Sequence, residues 1–179
     1  MNEELPSREK ALRLLSQSGC SRNVIRHCKA VAGLAVEIGV EFCRKGVKVN
    51  LRLVETGALL HDIGRSETHD VDHGIVGARI AEDLGLPRPV VSIVKRHIGA
   101  GISREEAGRL GWPVDVYIPQ TLEEKIVCYA DKRIEGSKKI PMEEAVRAYS
   151  RKVAPAAVER ILRLHLEMVG QLGDCPCLR

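Results

Sequence analysis

The stretch Leu59–Ala78, LLHDIGRSETHDVDHGIVGA, decides how this chain is read. It begins at the end of an apolar run and crosses a polar segment carrying His61, Asp62, Arg65, His69, Asp70 and Asp72. At His73 a second apolar period begins. Gly64 can stop the first helix and Asp72 can cap the second, so the expected local order is helix, polar loop, helix. The histidines and aspartates then pose a choice between a solvated connection and the rim of a metal site.

Working outward, helix signals recur on both sides. Ser7 can cap a helix running to about Ser18, with Gly19 as its stop, and an apolar-periodic segment follows from Arg22 to Lys45, closed by Gly46. Asn50 can cap LRLVETGALLHDI, the run that ends at Gly64. After the quoted stretch, a helix is expected from Asp72 to Leu84, ended by Gly85-Leu86-Pro87, and another over Pro89–Ile98. Ser103 with Glu106 and Thr121 with Glu124 have the spacing of capping boxes. The second opens LEEKIVCYADKRIE, a helix expected to stop at Gly136. Helices over Met142–Arg151 and Pro155–Val169 complete the set. Val114–Ile118 alternates like a strand, but it stands between Pro113 and Pro119 and reads as an extended loop. The expected fold class is all-α: one helical bundle of about eight to nine helices over residues 1–179. Its motif-bearing core spans about 22–136, the C-terminal helices of 142–170 pack on it, and 171–179 forms a tail.

Composition narrows the function classes. Of 179 residues, 44% are hydrophobic and only 3% aromatic, so the core has to be aliphatic. The 28 Lys and Arg against 24 Asp and Glu give a charge of +4, dispersed along the chain. No aromatic residues interleave with the basic ones as base-stacking surfaces require, so direct nucleic-acid binding is not expected. MNEELPSREK has no signal-peptide character, and VAGLAVEIGV is short and broken by Glu37, so neither export nor a membrane span is expected. The six cysteines read as reduced thiols of a cytoplasmic protein. Cys175 and Cys177 are too close in sequence for an easy disulfide. Their segment reads as a frayed tail, with an accessory metal site as the alternative.

Four residues stand out as carriers of chemistry. His61-Asp62 ends a helix whose apolar face carries both side chains inward, and a buried carboxylate needs a compensating cation. His27 lies among Val24, Ile25 and Val31, and Asp131 lies among Ile126, Val127, Ala130 and Ile134. Each is compatible alone with a structural role, and their joint placement on apolar helices suggests convergence.

The order His27, His61-Asp62, Asp131, with HDIG at 61–64, resembles the HD superfamily of metal-dependent phosphohydrolases over about Arg22–Gly136. His73 in HGIVGA and His97 in KRHIGAG resemble the additional histidines of members that hold two metals. The order HD, HG-x-x-GA, H, AD-x-x-E, completed here by Ala130-Asp131 and Glu135, is similar to bacterial HD enzymes that split diadenosine tetraphosphate symmetrically. This chain has its own insertion between Gly101 and Gln120.

The resemblance implies one metal on His27, His61, Asp62 and Asp131, and a second on His73, His97 and a bridging Asp62. The ions would be divalent transition metals, iron first, or manganese, cobalt, nickel or zinc, as this donor chemistry suits. Asp62, Asp131 and Arg65 would be catalytic. Arg65 would face phosphate, with Arg96, Lys132 and His69 as secondary substrate contacts. His69 is also a rival to His73 as ligand. Gly74, Gly77 and Ala78 either let backbone approach the site or serve helix packing, while His165 and Cys28 read as structural. The implied function is hydrolysis of a phosphoester or phosphoanhydride in a nucleotide or related small phosphate, by a metal-activated hydroxide. The alternatives are an HD-type mixed-valent di-iron oxygenase and a metal-containing nucleotide-binding module.

Overall fold

The structure, a computed structural model, describes residues 4–179. The first three residues of MNEELPSREK therefore lie outside the described residues. Nine α-helices form among them: α1 (Arg8–Gln17), α2 (Arg22–Arg44), α3 (Leu51–Leu60), α4 (His73–Asp83), α5 (Arg88–Arg96), α6 (Arg104–Arg109), α7 (Leu122–Lys132), α8 (Met142–Tyr149) and α9 (Pro155–Leu172). One short antiparallel hairpin, β1 (Ile134–Glu135) and β2 (Lys138–Lys139), follows α7. The fold is all-α in class. None of the described helices is long and apolar enough to cross a membrane.

The centre is the packing of α2, α3 and α7 on one another, with α5 against α3 and α4 against α5. α2 is the longest element. It buries Cys28, Val31, Ala32, Leu34, Ala35, Ile38 and Phe42 along one stripe, the periodicity that its sequence carries. Caps fix the helix starts. Ser7, Ser21 and Asn50 each accept a backbone N–H from three residues on, at 3.1–3.3 Å. Ser103 and Glu106 close a complete capping box.

Five expectations need correction. α3 stops at Leu60, and residues Ile63–Ser66 turn as a 3₁₀ helix, so the dyad sits at a break between two helical geometries. Asp72 makes no side-chain cap to α4; its carboxylate accepts the indole N–H of Trp112 at 2.7 Å. Thr121 caps α7, but Glu124 reaches instead to the backbone N–H of Gln120 and to Arg96, leaving half a capping box. α7 stops at Lys132 because Gly136, at φ +61°, turns the chain into the hairpin. The tail is packed rather than frayed. Cys175, Cys177 and Leu178 join the main core, and the sulfurs of Cys175 and Cys177 meet across a Cα separation of 5.3 Å.

Arg133 holds that tail. It is wholly buried, and its guanidinium donates to Leu178 O (2.7 Å), Arg179 O (2.8 Å), Ile140 O (2.6 Å) and the Tyr129 hydroxyl (2.9 Å). Four acceptors satisfy a charge that would otherwise be costly to bury.

Gly64 locks α4 onto the turn after α3. A Cβ there would strike the carbonyl oxygen of His73 and lie 2.6 Å from the backbone nitrogen of Gly77. A Cβ on Gly77 would in turn meet Val94 at 2.9 Å, so these glycines serve tight packing. Gly64→Ala is expected to cost about 3 kcal/mol, because backbone atoms cannot yield as side chains do. Gly33→Ala, on the exposed side of α2 with nothing within 4 Å, should leave stability unchanged or raise it by roughly 0.5–1 kcal/mol. Urea unfolding midpoints of the two variants against the parent check this.

Candidate metal centre

Six side chains from five places along the chain meet at one end of the α2–α3–α7 packing. His27 comes from the first turns of α2, His61 and Asp62 from the break after α3, and His73 from the start of α4. His97 follows α5, and Asp131 lies in the last turn of α7. His61, Asp62, His73, His97 and Asp131 are buried, and His27 is partly so. Donor atoms of His27, His61 and Asp131 lie within 4.8 Å of one another, as do those of His61, Asp62 and His97.

The imidazoles share one design. Each turns Nδ1 outward to a backbone carbonyl: His27 to Gly136 (3.0 Å), His61 to Ala58 (2.7 Å), His73 to Asp70 (2.6 Å) and His97 to Val94 (2.7 Å). A carbonyl only accepts, so Nδ1 carries the proton and donates. In a neutral ring Nε2 then presents a lone pair. All four Nε2 atoms point inward, and what they meet are other acceptors. His27 Nε2 is 3.0 Å from Asp131 Oδ1, and His73 Nε2 is 3.2 Å from Asp62 Oδ1 and 3.1 Å from His97 Nε2. His61 Nε2 is fully buried with no hydrogen-bond partner. Lone pairs converging on carboxylates in a buried place repel unless a cation lies among them. The donor set therefore fits a metal, and its nitrogen and oxygen composition fits a divalent transition ion.

The cluster draws positive charge to its centre: burial lowers His61, but Asp62, Cys28 and Asp131 outweigh it and hold the imidazole well above its ordinary value. Burial pushes the Asp62 and Asp131 carboxyls up. His61, His73 and His97 around Asp62, and Lys132, His27 and His61 around Asp131, outweigh it and hold both well below the usual range. Burial drives His97 down to about 4, helped by repulsion from His61 and His73 and opposed by Asp62, so its ring stays neutral.

Asp62 divides its oxygens. Oδ1 faces His73 at 3.2 Å and His97 at 3.5 Å, while Oδ2 faces His61 at 3.8 Å and His27 at 4.0 Å. Asp131 Oδ1 faces His27 at 3.0 Å and His61 at 3.5 Å. The cluster thus has two halves joined through one carboxylate.

A cavity of about 670 Å³ opens over the cluster. Arg65, His69 and Lys132 line it, and Ile98, Ile102 and Leu110 add apolar wall. Arg65 donates from Nε to Asp62 Oδ1 (3.3 Å) and from Nη1 to the His69 carbonyl (2.6 Å), so it reaches the site while His69 serves it through backbone. Arg96 is a correction. It does not line the cavity, because Glu124 takes its guanidinium at 2.8 and 3.0 Å and Val116 O takes its Nε at 3.1 Å. His165 bonds the Tyr129 hydroxyl at 2.9 Å, away from the cluster. Sequence reasoning missed the Gly136 carbonyl that aims His27, and the cavity residues Asn23, Arg109 and Tyr149. Glu135-Gly136-Ser137-Lys138 is a recognisable two-residue hairpin turn, masked by the helical period that runs up to it.

The chain is 44% identical over 162 residues to the uncharacterised protein MJ0778 of Methanocaldococcus jannaschii, covering 89% of this chain and 95% of that one. It is 44% identical over 170 residues to the tRNA (cytidine(56)-2'-O)-methyltransferase of Thermoplasma volcanium, covering 95% of this chain but 49% of that protein. The chain thus spans about half the length of that relative. In fold it is similar to the HD domain of the Listeria monocytogenes phosphodiesterase PgpH, solved in complex with cyclic-di-AMP. The TM-score is 0.53 at 17% identity, over 92% of this chain and 97% of that one. Residues 24–134 match the HD domain family, and the chain belongs to it.

Proposed function

We propose that this chain is a metal-dependent phosphohydrolase acting on a phosphoester or phosphoanhydride of a nucleotide or related small phosphate. The observation that carries the reading is the set of inward Nε2 lone pairs facing two carboxylates, with His61 Nε2 buried and unpartnered. His27, His61, Asp62 Oδ2 and Asp131 Oδ1 would hold one ion, and Asp62 Oδ1, His73 and His97 a second. Ions held there would lower the pKa of bound water to ≈ 7 and offset phosphate charge.

The protein groups do the rest. Asp62 ties the two halves together and sets their separation. The four backbone carbonyls fix the ring orientations, so little reorganisation is needed as charge develops. Arg65, with one terminal nitrogen left over from its bonds to Asp62 and His69, is the phosphate-facing cation. The apolar wall of Ile98, Ile102 and Leu110 excludes water and receives the uncharged part of the substrate. Residues 1–179 would act as one domain. The buried free thiols Cys20, Cys28 and Cys128 suit a reducing, cytoplasmic setting. Relatives named for tRNA methylation, and Ribonuclease Y of Chloroflexus aurantiacus at 33% identity over 87 residues, extend the substrate screen to RNA-derived phosphates.

Anaerobically purified protein should release phosphate or a phosphomonoester from one of these substrates without dioxygen. A strict need for dioxygen would favour the di-iron oxygenase, and nucleotide binding without turnover would favour a binding module. Elemental analysis should find about two metal equivalents in the parent, as a two-metal centre requires. His73→Ala and His97→Ala should each retain about one equivalent and lose turnover by roughly 100-fold. Full metal content and full turnover in both variants would defeat the two-metal assignment. Arg65→Met should raise KM by roughly 10-fold or more while metal content is kept, since it removes charge-assisted bonds to phosphate.

A further inference from the structure

Lys132 is the second cation at the cluster, and its circumstances differ from those of Arg65. The Arg65 side chain is 27% exposed and keeps a free arm, whereas Lys132 is 4% exposed. The Lys132 ammonium bonds Asp131 Oδ2, the oxygen turned away from His27 and His61. The same ammonium lies 5.5 Å from the centroid of the Tyr149 ring. Withdrawing it toward a substrate would strand a carboxylate oxygen in a buried place, a costly exchange. A carboxylate with both oxygens free can grip an ion through both. With Oδ2 taken, only Oδ1 is left to offer.

We propose that Lys132 is a positioning residue that reserves Asp131 Oδ2, so that Asp131 binds through a single oxygen and a coordination position stays open for water. The proposal rests on the metal-centre reading above. It separates the two cations by task, with Arg65 toward phosphate and Lys132 toward Asp131.

The test compares apo-protein titrated with Co²⁺ in the parent, Lys132→Met and Lys132→Arg, following the visible absorption. More highly coordinated Co²⁺ absorbs more weakly. Lys132→Met should bind Co²⁺ at least as tightly as the parent yet show weaker absorption, as Asp131 takes a second position. Lys132→Arg, which keeps a donor beside Oδ2, should restore most of the parent spectrum. On bis(p-nitrophenyl) phosphate, Lys132→Met should lose roughly 10–100-fold in kcat with KM within about threefold. An unchanged spectrum, loss of Co²⁺ affinity, or a raised KM with kcat kept would each overturn the proposal, the last by making Lys132 a phosphate contact. If Lys132→Met does not fold, the Lys132→Gln spectrum decides by the same criteria. If the parent hydrolyses no phosphate at all, the phosphohydrolase reading fails, while the Co²⁺ spectra still decide the role of Lys132.

Discussion

The hydrogen bond from each imidazole Nδ1 to a backbone carbonyl is the constraint on which the rest depends. His27, His61, His73 and His97 are set on four different elements, yet each spends its outer nitrogen the same way. For His61, His73 and His97 the carbonyl lies three residues earlier in the chain, so helical or turn geometry supplies the acceptor locally. Only His27 takes its acceptor from a distant element, the Gly136 turn. The cost of crowding four lone pairs and two carboxylates into a buried space is accepted by the fold as a whole. A cluster so arranged is stable only with positive charge inside it, which ties stability to what the cluster holds.

That tie explains where the sequence places its small residues. The dyad follows the end of α3, and the chain has to turn and return as α4 with His73 in reach of Asp62. The close contact of Gly64 with His73 O and Gly77 makes this possible; any side chain at Gly64 would hold the two backbones apart. Gly74 does the same toward Ile98, where a Cβ would lie at 2.8 Å, next to the turn that carries His97. Packing and ligand placement are one task in this segment, so the two readings of these glycines are not alternatives.

Much of this was legible in the sequence, for identifiable reasons. Ser7, Asn50 and Ser103 announce helix starts because a short side-chain oxygen and a free N–H lie next to each other in the chain. His27, His61, Asp62 and Asp131 could be picked out because ionisable groups on apolar helix faces are costly without a partner, whereas His73 and His97 were marked only by the resemblance to HD proteins that hold two metals. What escaped depended on contacts distant in sequence. Glu124 abandons its capping role for Arg96, which lies 28 residues earlier, and so draws Arg96 away from the cavity. Asp72 prefers the Trp112 indole, 40 residues on, to the α4 N-terminus. The tail looked loose because its partner, Arg133, reads by position as one more charge at a helix end.

Arg133 shows how far the support of the centre extends. Its backbone N–H donates to Ala130 O, while its carbonyl receives the Ile140 N–H at 2.8 Å and its Nε returns to Ile140 O at 2.6 Å. These two bonds close the base of the hairpin whose turn carries Gly136. The other arms of the same guanidinium hold Leu178 O and Arg179 O. A physical line therefore runs from the tail through Arg133 to the hairpin, and from the Gly136 carbonyl to His27. Lys132, one residue before Arg133, points the opposite way, into the cluster. Two adjacent basic residues at the end of α7 thus divide the work. One anchors the scaffold that aims His27, and the other faces the carboxylate that His27 meets.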